Sequence, residues 1–264
     1  MQDLKALLWD VDGTLAETER DGHRVAFNLA FEALGLPWCW SESRYGELLR
    51  VTGGRERLLH DMAGRTDAPV PPAQREALAR ELHALKNRFY ADIVHSGALP
   101  LRPGVAGLIA EARAAGVRQG IVTTTSRSNL DALLTQAFGP RWAAGFEVTV
   151  CGEDVQHKKP DPQAYLAALA ALRLSPLETV AIEDSPGGVA AARAAEVPVL
   201  VPLSRYFADA IIDDAIAIGP DLGQRRGWRP RLEDACGDGP VTLSDIAAWR
   251  AEMNSLSHPQ PHPA

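Results

Sequence analysis

Leu4-Lys5-Ala6-Leu7-Leu8-Trp9-Asp10-Val11-Asp12-Gly13-Thr14 is a short apolar run that meets two acids and is stopped by Gly13-Thr14. The run has strand length, and the glycine ends it. Residues two apart on a strand share a face, roughly 6.6 Å apart along it. Asp10 and Asp12 are therefore expected on one side of a strand end, the place where open α/β sheets bind ligands.

Beyond this stretch the chain divides into two rhythms. From Glu17 to Leu34 the positions Val25, Ala26, Leu29, Ala30, Ala33 and Leu34 recur at helical spacing. Helical pattern returns over Tyr45 to Val51, Arg55 to Ala63 and Pro72 to Val94, with no strand between. After Pro103-Gly104 helices and strands alternate. Helices are expected over Val105 to Ala115, Asn129 to Ala137, Pro162 to Leu172 and Gly188 to Ala195. Strands are expected over Val117 to Thr123, Glu147 to Val150, Thr179 to Ile182 and Val197 to Val201. Such alternation implies an α/β fold whose parallel sheet is covered on both faces. Residues 1–16 plus 97–264 are expected to form this Rossmann-like core, with 17–96 inserted as an all-helical cap.

A further strand is expected at Asp214 to Ile218. A terminal helix is expected at Thr242 to Leu256, with Thr242 as N-cap although Asp245 stands where a capping box has Glu or Gln. Leu256 to Ala264 reads as a frayed tail. Gly219 to Gly239 is the least readable stretch.

Composition narrows the class. The 264 residues, 46% of them hydrophobic, can bury a sizeable core. A net charge of −7 argues against non-specific nucleic-acid binding, which needs a basic face. Cys39, Cys151 and Cys236 have neither zinc spacing nor a disulfide framework. With no signal peptide or membrane-length run in view, a cytoplasmic protein without membrane or nucleic-acid partners is expected.

Three later motifs join the first. Ile121-Val122-Thr123-Thr124-Thr125-Ser126 runs a buried strand into hydroxyls. By itself this is threonine filling a strand end, with Ser126 or Ser128 capping the next helix. Lys158-Lys159-Pro160-Asp161-Pro162 offers a loop cation, which alone would carry no meaning. Ala181-Ile182-Glu183-Asp184-Ser185 sets two acids after a buried strand. That is costly without a nearby cation, or else it is an acidic helix start favoured by the macrodipole. Together the four place carboxylates, hydroxyls and an ammonium at one sheet edge. The set suits Mg²⁺-assisted phosphoryl transfer through an aspartyl phosphate.

In this order the motifs resemble those of haloacid-dehalogenase-superfamily phosphotransferases. The resemblance implies Asp10 as nucleophile and Asp12 as general acid/base. It implies Thr124, with Thr125 next to it, as the hydroxyl for a phosphoryl oxygen, and Lys159 as the cation; Lys158 then reads as a solvated surface charge. Mg²⁺ would be held by Asp10, the Asp12 carbonyl and Asp184, with Glu183 behind them or acting through a shared water. Gly187-Gly188 would permit close packing where the next helix starts. An insert between the first two motifs is similar to the cap of the β-phosphoglucomutase-like branch, closing over the site from hinges near Leu15 to Thr18 and Ser96 to Arg102.

Leu15-Ala16-Glu17-Thr18-Glu19, His23 to Asn28, Trp38-Cys39-Trp40, Tyr45 and Thr52-Gly53-Gly54-Arg55-Glu56-Arg57 further resemble CbbY-type phosphatases, which remove xylulose 1,5-bisphosphate, an inhibitory product of Rubisco. A small phosphorylated sugar would then be the substrate and a monomer the working unit. Substrate-binding candidates are Glu17, His23, Tyr45, Gly53, Gly54, Arg55, Arg57, Thr125 and Ser126. Arg55 stands where Lys is usual in the family, and Arg20-Asp21-Gly22 precedes His23. Gly53-Gly54 opens a helix N-terminus, an anion site by geometry, and Arg55 and Arg57 beside it could hold a distal phosphate. From spacing alone, a Gly-Gly turn before a surface Arg/Glu/Arg face is an equal reading. Glu17 either binds a sugar hydroxyl or is a solvated first-turn acid, His23 packs or hydrogen-bonds, and Trp38 and Trp40 pack.

Four alternatives remain at this point. A phosphosugar mutase shares all four motifs and differs only in where the phosphoryl group goes. A dehalogenase needs no acid at position 12. A phospho-accepting signalling receiver is about half this size and has no cap. A catalytically dead binding module would not need all four motifs intact.

Overall fold

In the computed structural model, which describes residues 4–232 and 238–257, β1 (Ala6–Trp9) lies at the centre of a six-stranded sheet. After it come α1 (Arg24–Ala33), α2 (Glu42–Leu48), α3 (Gly54–Ala63), α4 (Pro72–His95) and α5 (Val105–Ala114). Then follow β2 (Arg118–Val122), α6 (Arg127–Phe138), β3 (Val148–Val150), α7 (Gln163–Leu172), β4 (Thr179–Ile182), α8 (Pro186–Ala194), β5 (Val199–Pro202), β6 (Ala217–Gly219) and α9 (Leu243–Ser257). The strand order is β3-β2-β1-β4-β5-β6 and every pairing is parallel.

Side chains alternate across each strand, and both faces are dry. Leu7, Trp9, Ile121, Val180 and Ile182 pack with α5, α6 and α9, while Ala6, Leu8, Val122, Ala181 and Val199 pack with α7 and α8. Continuous apolar strands are what a doubly covered parallel sheet requires. Among the described residues no helix is long and apolar enough to cross a membrane.

The segment inserted between β1 and α5 is all helical. A π-helical turn at Glu19–His23 runs into α1, where the sequence pattern shows one continuous helix. The insert has its own apolar cluster of Phe27, Phe31, Trp38, Trp40, Tyr45, Leu58 and Leu82. Trp40 and Trp38 pack there as expected, and their indole N–H groups donate to Asp61 and Asp67, each at 2.9 Å. The lower half of α4 belongs to the other body: Tyr90 and Val94 sit in the same cluster as Trp9. The two connecting segments run side by side, with Ala16 bridged to Leu101 and the Arg102 N–H donating to the Leu15 carbonyl at 2.8 Å.

Toward the C-terminus the expected strand at Asp214 is shorter, because Asp214 adopts φ +60° and the ladder starts only at Ala217. Trp228 stacks on Trp249, with centroids 5.1 Å apart, and lies against Gly219, where a Cβ would sit 2.2 Å from the indole. Thr242 and Asp245 cap α9 reciprocally: the Asp245 N–H donates to the threonine hydroxyl and the Thr242 N–H to the carboxylate. Cys39 is exposed and Cys151 buried, both free thiols. Cys236 and residues 258–264 of the expected tail lie outside the described residues.

Candidate active site

Register brings the first and fourth motifs level. Trp9 pairs with Ile121 on β2 and with Ile182 on β4, so Asp10, Val122 and Glu183 emerge in step from three adjacent strands. Lys159, from the loop between β3 and α7, reaches into this row. Its ammonium donates to Asp10 Oδ1 at 2.6 Å, to Glu183 Oε1 at 2.5 Å and to the Val122 carbonyl at 2.7 Å. An ammonium has three protons, and all three are used. Tyr165 adds a hydroxyl donated to Glu183 Oε1 at 2.5 Å.

Asp10, Glu183 and Asp184 present carboxylate oxygens within 4.8 Å of one another, all buried. Two glycines make this crowding possible. Gly13 has φ +92°, and a Cβ there would lie 2.1 Å from Asp184 Oδ2. A Cβ on Gly188 would lie 1.9 Å from Glu183 Oε2, whereas Gly187 has open space, so only the second of that pair is needed for packing.

Burial sets the charge states. Desolvation raises Asp10 well above the ordinary carboxylate value, with Lys159 opposing and Glu183 and Asp184 adding to the rise. Asp184 is pushed up to about 7 by burial, eased by a Ser204 hydrogen bond and reinforced by Glu183. For Lys159 burial disfavours the charge, yet Asp10 and Glu183 outweigh it and keep the ammonium protonated.

Asp12 departs from the strand geometry. Because β1 ends at Trp9, the shared-face rule does not reach Asp12, whose carboxylate turns to the Thr18 hydroxyl at 2.5 Å and to His23 Nε2 at 2.9 Å. Burial would raise Asp12, but His23, Thr18 and Lys86 together hold it below the usual carboxylate range. His23 also stacks on Tyr90, with centroids 4.2 Å apart.

Above the acids lies a cavity of about 430 Å³ between sheet edge and insert. It is lined by Asp12, His23, Gly53, Gly54, Arg55, Arg57, Thr124, Thr125 and Ser126 among the expected residues. Asp10, Lys159, Glu183 and Asp184 are buried beneath it. Two candidates do not line it. Glu17 accepts the Arg205 N–H at 3.2 Å and pairs with Arg102 at 3.5 Å. Tyr45 is fully buried, its hydroxyl donating to Glu19 and accepting from Arg57 at 2.7 Å. The surface-face reading of Arg55-Glu56-Arg57 fails at Arg57, which is 6% exposed. Lys158 is not a solvated charge either: its ammonium meets Glu56 of the insert at 2.6 Å.

The structure adds residues that the motifs do not show. Lys86 is 3% exposed, lies over the rings of Phe27 and Tyr90 and lines the cavity. Burial lowers its ammonium to about 8. Its signal was available: Ala79, Leu82, Lys86, Tyr90 and Val94 form one stripe of α4, and a lysine on an apolar stripe is out of place. Glu19, two residues beyond Glu17, faces the cavity instead of it. Arg102 is buried and donates to the carbonyls of Gly13, Pro202, Leu203 and Pro220, tying three loops together.

Residues 4–196 match the haloacid dehalogenase-like hydrolase family. The chain is 40% identical over 246 residues to the plasmid-encoded protein CbbY of Cupriavidus necator, covering 93% of this chain and 96% of that one. It is 46% identical over 204 residues to CbbY of Rhodobacter capsulatus, covering 77% and 87%. Among solved structures, CbbY from Rhodobacter sphaeroides superposes with a TM-score of 0.75 at 39% identity, over 80% of this chain and 92% of that one. That protein has been crystallised with phosphate and, as a D10N variant, with xylulose-(1,5)bisphosphate.

Proposed function

The chain belongs to the haloacid dehalogenase-like hydrolase family and is a phosphatase, and on that premise we propose that it hydrolyses sugar phosphates with Mg²⁺, xylulose 1,5-bisphosphate first among them. The product would be xylulose 5-phosphate, and the role the removal of a Rubisco inhibitor in the cytoplasm. The observation that carries the reading is the row of Asp10, Lys159, Glu183 and Asp184 beneath a cavity walled by Arg55 and Arg57.

A divalent cation fits the donor set. Three buried carboxylates face one ammonium, and the carboxyls of Asp10 and Asp184 are both raised, so the site lacks positive charge. Oxygen donors suit a hard ion, and Asp10, Asp184 and the Asp12 carbonyl would hold it, with Glu183 behind them. When bound, it would neutralise charge on the phosphoryl oxygens and let the carboxylate approach.

The Asp10 carboxylate attacks phosphorus; a P–O bond forms to Asp10 and the bond to the sugar oxygen breaks. Asp12 gives its proton to that leaving oxygen, then takes one from the water that attacks the aspartyl phosphate. Phosphate leaves and both acids are restored. Substrate charge beside Asp12 would raise its carboxyl toward the protonated form that the first step needs. Thr124 holds a phosphoryl oxygen, Lys159 stabilises the aspartate and the phosphoryl group as a point charge from below, and Arg55 and Arg57 at the N-terminus of α3 hold the distal phosphate. The helices of residues 17–96 act as the cap that excludes water from the transfer.

Release of inorganic phosphate from xylulose 1,5-bisphosphate, abolished by chelation and restored by Mg²⁺, is the expected result. Isomerisation of a sugar phosphate without release would favour a mutase, and a stable phosphoprotein without turnover would favour a phospho-accepting domain.

A further inference from the structure

Adjacent lysines in one loop face different bodies. Lys159 points down to Asp10 and Glu183, while Lys158 points across the cavity wall to Glu56 near the start of α3. Among the described residues, Arg102 and Glu17, 3.5 Å apart, also pair between residues 17–96 and the α/β body, but they lie at the two connecting segments, whereas the Lys158–Glu56 pair joins the body to the insert away from them. The contact is shaped for the pair. Gly53 lies under it with φ +95°, and a Cβ there would stand 2.2 Å from Glu56 Oε2 and 2.7 Å from Lys158 Nζ. Half-burial would raise the Glu56 carboxyl, yet its hydrogen bond to Lys158 keeps it below the ordinary value.

The loop behind the lysines is stiff. The Asp161 N–H donates to the Lys158 carbonyl at 3.0 Å, the Gln163 N–H to Asp161 Oδ1 at 2.9 Å, and the His157 N–H to Gln163 Oε1 at 2.7 Å. A pull on Lys158 is therefore passed to Lys159 through one peptide unit. On the opposite edge the insert meets the body through ring contacts, Tyr206 lying against Tyr45 and Gly46. Such apolar contact does not fix direction, whereas a 2.6 Å ion pair does.

We propose that Glu56 and Lys158 form a positioning pair that couples seating of the helical insert over the cavity to placement of the Lys159 ammonium. The kinetic part rests on the phosphatase reading; the conformational part does not. Glu56 is the part of the insert that the lysine loop senses. When the insert lifts, Lys158 loses its partner and the loop loses its brace, so Lys159 is best placed only under a seated insert.

The test uses Glu56→Gln, Lys158→Met and the exchange Glu56→Lys with Lys158→Glu. Nitroxide labels on native Cys39 and on Leu177→Cys, in a Cys236→Ser background, read the distance between insert and body. Each single variant should broaden that distance distribution and lower kcat/KM for the bisphosphate about fivefold, chiefly through kcat, the scale of one partly exposed ion pair. The exchange should restore both within about twofold. Distances unchanged in both single variants overturn the proposal, as does an exchange variant as slow as Lys158→Met, which would mean that the lysine touches substrate. If the unmodified enzyme releases no phosphate from any sugar phosphate, the phosphatase reading fails while the distance measurement still decides the coupling.

Discussion

Lys159 is the residue on which the site's charge balance turns. Lys159→Met would leave Asp10 and Glu183 buried without their counter-charge, and the protein should lose about 3 kcal/mol in urea unfolding. Asp10→Asn should abolish turnover yet leave the metal-free protein at least as stable, because the carboxyl it removes is one that burial disfavours in its charged form. The same logic sets the pH response. Asp184 is an acid whose folded-state value, about 7, lies above its unfolded one. The folded state therefore binds more protons across that window, so stability of the metal-free protein falls as pH rises from about 4 to about 7. Thermal melting across that range should show the decline, and Mg²⁺ should remove it. That Asp10, Glu183, Asp184 and Lys159 gather at one sheet edge was legible because each follows a strand or sits in a short loop. The direction of the Asp12 side chain was not, because it depends on Thr18 and His23, which no local pattern ties to it.

At the level of elements, helix starts hold the site together. Ser185 accepts the Gly188 N–H at 3.1 Å at the head of α8, so Ser185→Ala should cost about 1 kcal/mol while leaving phosphate release nearly intact. Gly188→Ala should do the reverse: a methyl driven into Glu183 displaces the acid pair and should lower turnover more than stability. Measured melting and phosphate release on the two variants separate these effects. Helix and strand positions were readable from periodicity because the apolar spacing of α4 and of the sheet is strong. The left-handed residue that shortens β6 and the π-helical turn before α1 were not; the turn answers to tertiary contacts, Gly22 lying against Leu99 and Tyr90. The segment after β6 makes sense only once Trp228 finds Trp249, a partner far along the chain.

For the whole molecule, the question is whether insert and body unfold together. The lower half of α4 shares its apolar cluster with β1, and Arg102 ties the second connection to loops of the body. The molecule should therefore unfold in one cooperative transition rather than two. Hydrogen exchange in urea checks this: amides of α1 and of β1 should lose protection at the same concentration, and early loss in α1 alone would show an independent insert. The passage from helices alone to alternating helices and strands was legible in the change of rhythm at Pro103-Gly104. The sharing of α4 between the bodies was not, because both halves of that helix carry the same apolar stripe.

The Asp184 carboxyl, raised to about 7 in the metal-free protein, has a calorimetric consequence. A divalent ion taking its oxygens must expel whatever hydrogen ion they carry into the surrounding solution. Near neutrality the heat of Mg²⁺ titration should accordingly differ between buffers of unlike ionisation enthalpy, and the difference should shrink in alkaline solution.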